Sequence, residues 1–485
     1  MTVLRADQLA EKTGVHVYPQ SVTPDGMATY FLARDGARRL LGVVGQANGF
    51  EGTPRGDVRL CPLTAANAAA LRERLAWLRP VPLGLARSAG CGDRLGLATP
   101  GHVRAVRQTA GIAPIFAQQS IRENARTGRS PGEVLDDAMW GVFQEGWRAP
   151  WGADADHLKT FEDVDVCVAA GYSFFTFDPG AHVDSSAQAA PLSSLREKRG
   201  ALPWGELETT ERDMRTAYLD RTFYLDGGAS LTFSEDSLWR AAAKYGHAIA
   251  HVIRMYRRLC GQTDVLEVEV SVDETDIPTS PLEHYFIASE LRRLQVRCVS
   301  LAPRYVGRFE KGVDYIGSLE EFEADLATQA AVARTLGPYK LGIHSGSDKF
   351  SLYPIFARHA GELLHLKTAG TSYLEALRAI AASDPGLFRD IYQLAHQRYA
   401  QDRASYHVSA DSGRAPQPGE LSEENLAAVL DQFDAREMLH VTFGSALTDY
   451  GTRLKGSLQT HEEAYYAALV IHFGRHLRPL VGGGI

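Results

Sequence analysis

Five apolar runs in this chain end in residues that bind metals or move protons. They are GADADHLK (152–159), FFTFDPG (174–180), VLEVEVSVDETD (265–276), KLGIHSGSDK (340–349) and ELLHLKTAG (362–370). His157, His344 and His365 stand where three of these runs close, each beside acids or lysines. Imidazole and carboxylate are the donors a borderline divalent cation takes. These three histidines are therefore the expected ligands of one divalent ion, with Asp178, Asp273 and His407 as alternatives. The donors do not separate Zn from Mn, Ni or Co. Asp156, which flanks a proposed ligand, and Glu269, which alternates with valines, are the expected acid–base pair. Asp273 is their reserve. Lys159, Lys349, Lys367, Arg304 and Ser345 are the candidate substrate-binding groups, the SGSDK turn adding backbone donors for an oxygen or carboxylate.

Such residues converge only if their strands stand side by side. In Val265 to Asp273, alternation puts Glu267, Glu269, Ser271 and Asp273 on one face and the aliphatic residues on the other. In a barrel wall the aliphatic face meets helices, so the acids point inward, where a carboxylate must be paired, hydrogen-bonded or metal-bound. Eight runs read as strands, 82–86, 112–117, 152–158, 172–178, 265–273, 296–301, 340–344 and 363–367, with helical patterns between several, such as 322–336. This predicts an α/β fold, a (β/α)₈ TIM-type barrel whose strand C-termini share one mouth. Its expected parts are an N-terminal cap (1–80), a barrel (81–380) and a helical C-terminal extension packed on it (381–485). A long insertion after the fourth strand (about 181–261), rich in charge and aromatics, suits a lid or an interface. The C-terminal part holds YHVSAD (406–411) and an apolar run near Leu439, either of which could be a last strand. Gly90-Cys91-Gly92 reads as part of a loop feeding a helix at Thr99-Pro100. Its GxGxxxG spacing, without a following strand and acid, does not support a nicotinamide cofactor.

The chain has 485 residues, 45% hydrophobic and 23% charged, the composition of a globular protein. Acids and bases are interspersed to a net charge of −8, and no polybasic run suggests nucleic acid. No stretch approaches the roughly 18 apolar residues of a membrane span, and the N-terminus lacks an apolar signal core. The expected location is cytoplasmic. Five scattered cysteines without a CxxC fit reduced, packed thiols. Self-association into a homo-oligomer is left open.

Longer strings carry a family resemblance. HLKTFEDVD, AAGYSFFTFDPG, EVSVDETDIPTSPLEH, SLAPRYVGRFEKGVDYIG, LGIHSGSDKFSLYP, HLKTAGTSYLEALR and YHVSAD closely resemble, in order over about residues 80–445, the tagaturonate/fructuronate epimerase family. The resemblance implies a metal-dependent isomerase of hexuronate catabolism that inverts C4 of a 2-ketohexuronate sugar acid. That carbon is β to both the ketone and the carboxylate, so its hydrogen is not acidic and enolisation cannot invert it. Retro-aldol cleavage and re-addition across C3–C4 is the expected route. A metal-dependent sugar-acid aldolase or keto-sugar isomerase is the alternative.

Overall fold

The computed structural model describes residues 4–482. Eight strands close into a barrel in chain order: Ser88–Cys91, Ala113–Ser120, Gly152–Leu158, Phe174–Phe177, Glu267–Ser271, Ser300–Ala302, Lys340–Ile343 and Leu364–Thr368. All eight pairings around the ring are parallel. Helices after the strands, among them Thr99–Arg107, Phe161–Ala170, Pro281–Arg293 and Leu319–Leu336, bury the outward aliphatic side chains. Their starts are fixed locally. Thr160, Ser280 and Ser318 each accept a hydrogen bond from the backbone N–H three residues on.

The first strand differs from the sequence reading. It is Ser88–Cys91 rather than 82–86, so Gly90 and Cys91 belong to the barrel wall. The segment has no β-branched residue, and its glycine serves packing: a Cβ at Gly90 would come within 2.9 Å of Gln118 Cγ on the neighbouring strand. The insertion after the fourth strand also departs from the lid expectation. Its last and longest helix, Glu235–Cys260, packs against Phe161–Ala170 and Pro281–Arg293 and takes the place of a barrel helix. Lys244 on that helix is wholly buried and pairs with Glu283 at 2.9 Å.

Around this core lie two additions. Residues 16–62 form a six-stranded sheet, built on the hairpin Ala28–Asp35/Arg38–Gly45. The C-terminal helices Pro385–Asp402, Phe433–Val441, Phe443–Thr460 and Glu462–Val481 enclose a second apolar core against Thr371–Ser383. The run near Leu439 is thus a helix, and YHVSAD is a loop; neither supplies a strand. Among the described residues, no helix is long and apolar enough to cross a membrane.

Candidate functional site

The barrel interior is charged. Inward residues of four strands meet around the ammonium of Lys367, which lies 2.8 Å from Asp154 Oδ2, 2.7 Å from Asp156 Oδ1 and 2.8 Å from Glu269 Oε1. It also donates to Thr176 Oγ1. Lys367 and all three acids are buried. Burial opposes every one of these charges, yet mutual attraction wins: Lys367 is held above the ordinary lysine range, and Asp156 and Glu269 well below the carboxylate range. Ser300 also donates to Glu269. The layer needs space that only glycine gives, since a Cβ at Gly342 would sit 2.5 Å from Glu269 Oε2.

Above this layer stand two histidines. His344 Nε2 lies 2.6 Å from Glu269 Oε1 and its Nδ1 lies 3.3 Å from Asp273 Oδ1. His157 Nδ1 lies 2.8 Å from Asp156 Oδ1 and Nε2 lies 3.5 Å from Asp273 Oδ1. In a regular strand Asp156 and His157 would face opposite sides. They share the mouth because the third strand shifts register against the fourth and His157 takes a left-handed φ of 54°. Ser345 and Asp348, after the seventh strand, also have positive φ, at 49° and 63°. Held backbone strain of this kind concentrates at functional sites.

The donors fit a divalent cation. Ligand atoms of Asp156, His157 and His344 lie within 4.8 Å of one another, as do those of His157, Asp178 and Glu274. Both ring nitrogens of His157 are buried and face carboxylates, Asp156 and Asp273. Burial and Lys367 disfavour a charged His344, but Asp273 and Glu269 outweigh them and push the ring up to about 9. A negative potential strong enough to hold a proton on that ring would also favour a metal ion in its place.

His365 is not in either group. It lies deeper, its Nδ1 2.9 Å from Ser88 Oγ and its Nε2 3.9 Å from Asp154 Oδ2, its ring tilted against Phe174. The third strand and the end of the seventh, unlike the eighth, carry the donors of the Asp156, His157 and His344 group.

Over the histidines opens a cavity of about 420 Å³ lined by Asp273, Glu274, His344 and Ser345 from the strand ends. Arg304, Arg308 and Lys311 from the loop after the sixth strand, Arg122, and Tyr406 and His407 complete it. The YHVSAD loop therefore forms a strap over the mouth. Three successive N–H groups hold it to carboxylates: Ser409 to Glu310 at 2.7 Å, Ala410 to Glu437 at 2.8 Å and Asp411 to Asp434 at 2.8 Å. A larger recess of about 680 Å³ opens near the strand N-termini, but no carboxylate or histidine lines it.

The sequence-derived candidates thus occupy different levels. Asp156 and Glu269 lie beneath the cavity, and the carboxylates lining it are Asp273, Glu274, Asp276 and Glu310. Lys367 is enclosed by acids. Lys349 is buried, its ammonium donating to the carbonyls of Glu310, Val313 and Ser347. Lys159 sits at the rim, half exposed, 3.0 Å from Asp178. Arg304 lines the cavity and donates to the Thr275 carbonyl, and Ser345 accepts from Lys311 Nζ at 2.7 Å. Lys311, Arg122 and Glu274 had escaped notice. Glu274 adjoins Asp273 and could have been found there. Lys311 sits in a loop without periodicity and gave no signal.

A family model for tagaturonate epimerase matches residues 18–480. The tagaturonate/fructuronate epimerase of Thermotoga maritima is 42% identical over 483 residues, covering 97% of this chain and 98% of that protein. A glycerol-complexed crystal structure of fructuronate-tagaturonate epimerase UxaE from Cohnella laeviribosi superposes with a TM-score of 0.92 at 37% identity, covering 98% of each chain. The native crystal structure of that enzyme gives 0.93 at 36% identity, covering 98% of this chain and 99% of that one.

Proposed function

This chain belongs to the tagaturonate epimerase family and is a carbohydrate epimerase, and from that premise we propose that it inverts C4 of a 2-ketohexuronate by breaking and remaking the C3–C4 bond. The observation that carries the reading is the layered mouth: a cavity with its own carboxylates, set over two histidines and a neutralised acid cluster. Asp156, His157 and His344 would hold a divalent cation, which would supply Lewis-acid stabilisation of negative charge on a substrate oxygen.

The chain's own groups move the protons. Asp273 faces the cavity and takes the proton from the C4 hydroxyl. As C3–C4 breaks, its electron pair passes to the ketone oxygen, leaving an enediolate and an aldehyde at C4. The aldehyde turns about C4–C5, C3 re-adds to its other face, and the alkoxide regains a proton on the strap side, where His407 lies. Glu269 and Asp156 hold the two imidazoles in place, and Lys367 keeps both acids ionised. The strap over the mouth limits escape of the aldehyde between the two steps.

The test is turnover of tagaturonate by the metal-loaded protein in deuterated water. Fructuronate without deuterium at C4 is expected, because that hydrogen stays on the aldehyde carbon. Deuterium at C4 would refute cleavage, and absence of fructuronate would refute the activity. Accumulating tartronate semialdehyde and dihydroxyacetone would instead mark an aldolase. Chelation to completion should abolish turnover, and protein purified without chelator should carry about one ion per chain.

A further inference from the structure

Four basic side chains line the cavity, and three are engaged. Arg122 pairs with Glu274 at 2.9 Å, Arg308 with Glu310 at 3.4 Å, and Arg304 donates to the Thr275 carbonyl. Lys311 differs. Among the described residues no carboxylate lies within ion-pair distance of its ammonium, whose one hydrogen bond goes to the Ser345 hydroxyl at 2.7 Å. A hydroxyl that accepts from Lys311 keeps its own proton to donate. The two groups therefore present an ammonium and an O–H to the cavity from adjoining positions, and both can serve one incoming carboxylate. Ser345 is fixed there by its left-handed backbone, directly after His344. The Lys311 side chain is partly buried, where an unneutralised cation is costly and an anionic ligand lowers that cost. The other lysines of the mouth do not offer this: Lys367 meets three acids, Lys349 three carbonyls, and Lys159 meets Asp178.

We propose that Lys311, with Ser345, receives the C6 carboxylate of the substrate and thereby selects uronates over neutral ketohexoses. This rests on the sugar-acid reading above, but it can be tested apart from turnover. D-glycerate and glycerol differ only by the carboxylate, and both resemble the C4–C6 end of the substrate. Calorimetric titration of the intact metal-loaded protein should show D-glycerate binding more tightly than glycerol. Lys311→Met should abolish that difference, and Lys311→Arg should restore part of it. In turnover, Lys311→Met should raise KM for tagaturonate about 10- to 100-fold, the usual range for a charged hydrogen bond, with kcat within about threefold and metal content unchanged. Arg304→Met serves as the control and should leave the glycerate preference in place. If Lys311→Met keeps that preference, or if Arg304→Met removes it instead, the assignment is overturned. Failure of wild-type turnover with the glycerate preference intact would refute the epimerase reading alone.

Discussion

Lys367→Met deletes one cation from a site where three carboxylates close on it within 2.8 Å. Removing one partner of a buried ion pair costs about 3–5 kcal/mol, because the remaining charge stays desolvated and unpaired. For a chain of 485 residues, an unfolding entropy of about 2.1 cal/mol/K per residue sums to about 1 kcal/mol/K. The melting midpoint at pH 7 should therefore fall by about 3–5 °C. The pH dependence has a definite sign. Asp156 and Glu269 titrate below their ordinary values in the parent, so the stability they lend is present above the unfolded carboxylate range and is lost as pH falls through their folded values. The gap between parent and variant should be full at neutral pH and should narrow below about pH 4. Differential scanning calorimetry from about pH 7 down to about pH 2 measures it. Turnover should drop alike for tagaturonate and for neutral tagatose, since the lysine organises acids and does not meet substrate. An unmoved midpoint with a loss confined to the uronate would refute this and would place Lys367 at the substrate carboxylate.

Other substitutions separate the levels of the site. His157→Ala and His344→Ala should strip the bound ion by elemental analysis, whereas His365→Ala, whose ring rests on Ser88, should retain it. Asp273→Asn should cut kcat by about 10² to 10⁴ with the ion in place; an unchanged kcat would remove Asp273 from proton transfer. Gly342→Ala should displace Glu269, whose Oε2 a Cβ would approach to 2.5 Å, and lower turnover without touching a cavity residue. Glu437→Gln tests the strap. Burial, with Glu310 adding to it, raises the Glu437 carboxyl to about 8 from 4.5. The stability this contributes is complete below about 4.5 and is lost as pH rises through about 8. The glutamine variant should show a flatter midpoint across that window, and an unchanged slope would count against the pair.

The barrel was legible because its strands obey period two with aliphatic outer faces, most plainly Glu267–Ser271. Gly152–Leu158 was found to the residue, since its polar and small residues alternate cleanly. The first strand was not, because Ser88–Cys91 lacks the branched residues that mark a strand and holds a glycine for packing. Within the site, residue type gave membership and not depth. Lys367 and Lys311 are both lysines of the mouth, but one is neutralised by three acids from two other strands, and the other has no carboxylate within ion-pair distance among the described residues. That distinction is made by residues more than 90 positions away along the chain, and no local pattern carries it.

The same long-range arrangement explains how so many charges share one interior. Each acid of the Lys367 layer also has a hydroxyl or imidazole: Thr176 for Asp154, His157 for Asp156, and Ser300 with His344 for Glu269. A buried charge satisfied in this way cannot rearrange without leaving a partner unpaired. The layer is therefore a rigid floor that fixes His157 and His344 by their acid partners. The chemistry is left to the groups above it, Asp273 and the residues of the strap and the sixth-strand loop. On this arrangement, changes in the floor should damage every substrate equally, and changes in Lys311 should damage only those that carry a carboxylate.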